Sequence, residues 1–191
     1  MSETNMEIGT KARIDIRQMA VIALMTAVTC VIAPVSLPIG PVPISLGSFA
    51  IYLSVCVLGW KNSTISCLIY LLLGIVGVPV FTGWQAGPAK VFGPTGGYML
   101  GYLLVTIVAG ILMERFHYKL WGDIIALILG TVLLYGAGSL WLAYQAHMTF
   151  VEALWAGVIL FIPGDLIKIA VAVLVGSQIR RQLNRMSGGQ R

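Results

Sequence analysis

The constraint that dominates this sequence is a succession of long apolar runs, each closed by proline, glycine or charge. They span Met19 to Val35, Ile44 to Leu58, Ile65 to Val80, Tyr98 to Met113, Ile124 to about Tyr144, and Ala153 to Ile179. A helix crossing about 30 Å of hydrocarbon needs roughly 17–25 residues, so the chain has room for six crossings with short connections. Composition agrees: 58% of residues are hydrophobic and 10% charged, with a mean hydropathy of +0.92, against about 45–50% and about 25% in soluble domains. An ordinary soluble domain is excluded, and so is a disordered chain, which needs low hydrophobicity and high charge. The expected fold class is an all-α membrane protein of six transmembrane helices, forming a single integral-membrane domain over residues 1–191 in the lipid bilayer.

The breakers set the boundaries. Pro34, Pro38, Gly40, Pro41 and Pro43 separate the first two runs, and Gly59, Lys61 and Asn62 predict a tight polar turn between the second and third. Glu114 to Lys119 divides the fourth from the fifth, while Pro163-Gly164-Asp165 splits the last into a short helix and a sixth span. The net charge of +5 is then informative through its location. With the N-terminus in the cytoplasm, Lys11, Arg13, Arg17, Lys61, Arg115, Lys119, Arg180, Arg181, Arg185 and Arg191 all lie inside, leaving only Lys90 and Lys168 of the 12 basic residues on the outer side. Both termini are therefore expected in the cytoplasm, as tails over 1–13 and 184–191. A basic face for nucleic acid is not expected, and the first run carries no cleavage signature of a signal peptide.

Several chemistries find no support. A phosphate-cradling G-x-x-x-x-G-K-S/T loop is absent from the sequence, so the chain is not expected to hydrolyse ATP by that route. His117 and His147 fall on opposite sides of the membrane, which leaves no metal site. Cys30, Cys56 and Cys67 lie within the spans as small apolar residues. Ser139, in Gly136-Ala137-Gly138-Ser139 ahead of His147, invites comparison with an intramembrane hydrolase, but no acid supports the histidine and small residues in such helices serve packing. No catalytic residue and no cofactor is expected.

Three features carry binding chemistry. Asp165 and Lys168, three positions apart and on one helix face, are either a self-compensating ion pair or a fork offering a carboxylate acceptor and an ammonium donor. Such a fork suits a urea or amide in an apolar pocket. The long connection from Val78 to Tyr98 has the length of a binding loop. It offers Trp84, Gln85 and Tyr98 as walls or contacts, Lys90 as its sole charge, and the N–H groups of Gly96 and Gly97 at a helix start as an anion site. In the first run, Ala23 and Ala27 lie one turn apart and form a smooth strip on which another helix can sit.

These features resemble the BioY type of S component of energy-coupling-factor (ECF) transporters, from about Ile14 to Leu183. The likeness rests on Pro41-Val42-Pro43-Ile44-Ser45-Leu46, on Tyr70 to Phe81, and most specifically on Gly93-Pro94-Thr95-Gly96-Gly97-Tyr98 and Pro163-Gly164-Asp165-Leu166-Ile167-Lys168. The resemblance implies an ECF S-component bundle with an outward pocket in a prokaryotic plasma membrane, and biotin as substrate. It implies a transmembrane coupling subunit and two ATPase subunits as partners, docked on Ala23 and Ala27, and a toppling of the whole subunit that carries the vitamin inward. Biotin's ureido ring would meet Asp165 and Lys168, and its carboxylate Lys90 or the Gly96 and Gly97 amides. Where the family pattern often has glutamine, this chain has Gly47, and Trp84 and Gln85 replace a glycine-rich stretch, which casts them as substitute ring contacts. The rival reading is a stand-alone ion-coupled small-molecule carrier.

Overall fold

The computed structural model describes residues 16–37, 42–159 and 161–188. The expected tail over 1–13, the end of the C-terminal tail, the charges Lys11, Arg13 and Arg191, and the breakers Pro38, Gly40 and Pro41 lie outside the described residues. Helix α1 covers Ile16–Ile32. A two-stranded antiparallel ladder follows, β1 (Ser36–Leu37) against β2 (Ile44–Ser45), with Ser36 opposite Ser45 and Leu37 opposite Ile44. Then come α2 (Gly47–Val76), the short α3 (Pro88–Val91), α4 (Gly96–Arg115), α5 (Leu120–Ala146), the short α6 (Phe150–Leu154) running into a π-helical turn at Trp155–Ile159, and α7 (Ile162–Gly188).

Among the described residues, α2, α4, α5 and the Ile162–Leu183 part of α7 are long and apolar enough to cross a membrane. Helix α1, at 17 residues, falls just short of that length. The proline- and glycine-rich boundaries hold, but the polar turn expected at Gly59, Lys61 and Asn62 is narrower than the sequence suggests. Gly59 alone leaves helical geometry, at φ 73° and ψ 176°, and the helix resumes at once. A positive φ of this kind costs glycine little and other residues more.

That single residue reverses the chain. Before it, Ser48 lies by Asp165 and Cys56 by Gly176 and Arg180, so residues 47–58 run parallel to α7. After it, Trp60 lies against Gly110, and Thr64 donates to Thr106 over 3.2 Å, so residues 60–76 run antiparallel to α4. Helix α5 is antiparallel to both α4 and α7, with Gly97 on Trp141, Gly101 on Leu134, Tyr135 by Asp165 and Asp123 by Arg180. The two halves of α2 therefore point in opposite directions, and the end holding Asp165 is opposite the end holding Arg180.

Small residues bring these helices close, as expected where apolar burial offers no drive between helices in lipid. A Cβ on Gly97 would stand 2.2 Å from Trp141 Cβ, and one on Gly110 would stand 2.6 Å from the Trp60 backbone. Hydroxyls tie the remaining contacts: Thr26 of α1 bonds Ser66 of α2 at 2.9 Å. Helix α6 begins in a capping box, Thr149 Oγ1 accepting from the Glu152 amide and Glu152 Oε2 accepting from the Thr149 amide.

Candidate functional site

A cavity of about 60 Å³, opening to solvent, lies at the Asp165 end, where β2, the start of α2, α4, α5 and α7 converge. Val42, Met99, Leu134 and Phe161 supply apolar wall, Tyr98, Tyr102 and Tyr135 aromatic wall, and Asp165 and Lys168 carry the only formal charges among its lining residues. The two charges neutralise each other: Lys168 Nζ lies 2.8 Å from Asp165 Oδ1, with side chains only 13% and 8% exposed.

All three protons of Lys168 and both oxygens of Asp165 have partners within the protein. Lys168 Nζ donates to the Ser45 carbonyl at 2.8 Å, to Ser48 Oγ at 3.1 Å and to Asp165 Oδ1. Asp165 Oδ1 also accepts from Ser48 Oγ at 3.2 Å, and Oδ2 accepts from the Tyr135 hydroxyl at 2.7 Å. The spacing in the sequence placed Asp165 and Lys168 on one face, and they meet there. Ser45, Ser48 and Tyr135 were missed; the available signal was a set of hydroxyls in apolar surroundings, where a buried Tyr hydroxyl needs a partner.

The long connection lends Thr82 and Thr95 to the lining of this cavity. Phe81, fully buried, packs edge-on to Tyr70 with ring centroids 5.7 Å apart and bridges to Gln85. Gly83 and Gly87 donate to the carbonyls of Pro34 and Gly74. Gln85 and Lys90 line a second cleft that shares Pro43 and Thr95 with the cavity. Partial burial lowers the pKa of the Lys90 ammonium below the ordinary lysine value. Trp84 is 64% exposed, has φ 60°, and is absent from both linings.

Gly96 and Gly97 serve packing. The Gly96 amide already donates to the Gly93 carbonyl at 3.0 Å, and a Cβ on Gly96 would stand 1.7 Å from the Val91 carbonyl oxygen. Neither glycine lines the cavity or the second cleft. Tyr98, next in sequence, does line the cavity, and its hydroxyl donates to the Gly157 carbonyl at 3.3 Å and lies 3.4 Å from Ser139 Oγ. Ser139 thus pairs with Tyr98, while His147 caps the C-terminal end of α5 in the left-handed region. Ala23 and Ala27 are exposed on α1 and border an apolar groove between α1 and the second half of α2.

A second buried ion pair lies at the opposite end. Asp123 is 1% exposed. Arg180 reaches it at 3.3 Å, donates to the Cys56 carbonyl at 2.9 Å, and stacks 3.9 Å from the centre of the Tyr118 ring. His117 and Tyr118 both take φ 54° to make the turn between α4 and α5 that places this ring.

The comparisons agree with this geometry. The BioY family model matches residues 4–185. A probable biotin transporter BioY of Pyrococcus horikoshii is 36% identical over 164 residues, covering 86% of this chain and 96% of the relative. The biotin transporter BioY of Thermotoga maritima is 35% identical over 165 residues, with the same coverage of each chain. A crystal structure of the S component for biotin from an ECF-type ABC transporter superposes with a TM-score of 0.82 at 31% identity, covering 86% of this chain and 91% of that one. The chain belongs to the BioY family, a family of multi-pass membrane transporters and not of enzymes.

Proposed function

We propose that this chain is the biotin-capturing S component of an ECF transporter in a prokaryotic plasma membrane. The observation that carries the reading is the outer cavity, in which aromatic and apolar walls surround one neutralised carboxylate–ammonium pair. Biotin has matching parts: a fused bicycle for the walls, and a ureido group whose N–H and C=O face Asp165 and Lys168. Its valerate carboxylate extends past Pro43 and Thr95 into the neighbouring cleft, toward Lys90 and Gln85. Tyr98 forms wall, and the exposed Trp84 stands outside the ligand's contact.

The two opposed halves of α2 count as two crossings, which with α1, α4, α5 and α7 makes six and returns both termini to the cytoplasmic side. Delivery depends on a transmembrane coupling subunit and two ATPase subunits, docked on the exposed Ala23 and Ala27 strip.

Purifying the chain and identifying the small molecule that accompanies it tests the reading directly, and calorimetry in detergent adds the residue-level check. Biotin binding is expected, and Asp165→Asn should weaken it by more than about tenfold, on the order of 1.4 kcal/mol. Absence of biotin binding would overturn the assignment. Accumulation of biotin in proteoliposomes under an ion gradient, without ATPase subunits, would favour a stand-alone carrier instead.

A further inference from the structure

We propose that Tyr135 is a specificity-determining residue that makes the cavity select a neutral N–H donor over a cationic one. The inference rests on the biotin reading and concerns how the carboxylate is presented. Asp165 is 5% exposed and its two oxygens are unequal. Oδ1 takes both Lys168 and Ser48, which fills it. Oδ2 takes the Tyr135 hydroxyl, at 2.7 Å, and the Tyr52 hydroxyl also bonds the carboxylate. A carboxylate oxygen has two lone-pair directions, so a ligand N–H that bonds Oδ2 does so beside Tyr135 and in competition with Tyr52.

The hydroxyl thus does two things. It fixes the rotation of the carboxylate, and it supplies a second donor to a charge that Lys168 already balances. The titratable groups facing Asp165 are Lys168 on its own helix, Tyr52 on α2, Tyr102 on α4 and Tyr135 on α5, and the cavity lining adds no further charge. The site is electrically neutral. A urea N–H meets the carboxylate without bringing charge. A guanidinium must shed its hydration, and finds a carboxylate whose charge is already met and an ammonium close by.

Lys168 takes a changed part as well. Its three protons are committed to Ser45, Ser48 and Asp165, so it positions the carboxylate, and a ligand carbonyl reaches it only by replacing one of these partners.

The probes are biotin and 2-iminobiotin, its cyclic guanidinium analogue, titrated near pH 7 into the full-length protein in detergent. Wild type should bind the analogue at least tenfold more weakly than biotin. Tyr135→Phe should weaken biotin about tenfold while changing the analogue less than threefold, so that the ratio of the two Kd values shrinks several-fold. A tyrosine that only filled space would weaken both ligands by one factor and leave the ratio unchanged, which would overturn the inference. Equal affinities for the two ligands in wild type would overturn it whatever the variant does. Failure of wild type to bind biotin would overturn the functional reading, and this inference with it.

Discussion

The Asp165–Lys168 pair makes a sharp energetic prediction because both side chains are nearly buried and each has other partners. Replacing Asp165 with Asn leaves the Lys168 ammonium on the Ser45 carbonyl and Ser48 Oγ with no counter-charge. Replacing Lys168 with Met leaves the carboxylate on the hydroxyls of Ser48 and Tyr135. Breaking one side of a buried pair costs about 3–5 kcal/mol. The surviving hydrogen bonds place each single variant near the lower end, about 3 kcal/mol. In the double variant no unpaired charge remains, and well-packed replacement of a buried pair is close to neutral, so the combined cost should be about 2–3 kcal/mol in place of the ~6 kcal/mol sum. Reversible SDS unfolding in mixed micelles, followed by circular dichroism, reads all three. Additivity within about 0.5 kcal/mol would mean that the two charges do not interact, and would refute the reasoning.

Other regions carry their own predictions. At the opposite end, Arg180→Met strands Asp123, which already has an unpaired Oδ1; unfolding should become easier by about 3 kcal/mol while biotin affinity stays within threefold. Gly59→Ala forces a Cβ into φ 73° and to 3.1 Å from the Tyr118 hydroxyl, at a cost of about 1–3 kcal/mol in the same unfolding assay. A bound carboxylate favours charged Lys90, whose pKa in the free protein is lowered. Biotin affinity should therefore be full below that pKa and fall as pH rises through it, starting below the range of an ordinary lysine. Lys90→Arg stays charged and should flatten the fall; an unchanged profile would remove Lys90 from the carboxylate.

What the sequence disclosed depended on how local the physics was. Apolar runs and their breakers are local, and they located the helices and the Pro163 restart, which the structure places in the first turn of α7. Asp165 and Lys168 were legible because helical spacing alone puts them together. Tyr135, Ser48 and Ser45 were not, since they lie 30, 117 and 123 positions from the residues they serve, and hydroxyls in apolar runs look alike until the helices are arranged. Gly96 and Gly97 are ambiguous for the same reason: an open helix N-terminus and a packing glycine have one sequence pattern, and the nearness of Val91 and Trp141 reveals the packing part. Asp123 carried no signal of its own because its partner, Arg180, stands 57 residues away on another helix.

The arrangement of polar contacts bears on how a ligand could leave. The open cavity lies at the Asp165 end, whereas toward the Arg180 end the helices meet through Gly110, Gly130 and Gly176 pressed on Trp60, Ala109 and Cys56. Rearranging such contacts costs more than moving the body that contains them. Delivery should therefore survive a covalent bond between neighbouring helices. Thr64 and Thr106 place their Oγ1 atoms 3.2 Å apart, so cysteines at both positions would bring sulfurs near the ~2.05 Å bonding distance with a small adjustment. The oxidised Thr64→Cys/Thr106→Cys protein, assembled in proteoliposomes with the coupling and ATPase subunits of the proposed ECF module, should bind biotin and sustain uptake as the reduced form does. If uptake returned only on reduction while binding was intact throughout, the second half of α2 would have to part from α4 during transport, and movement as one body would be wrong.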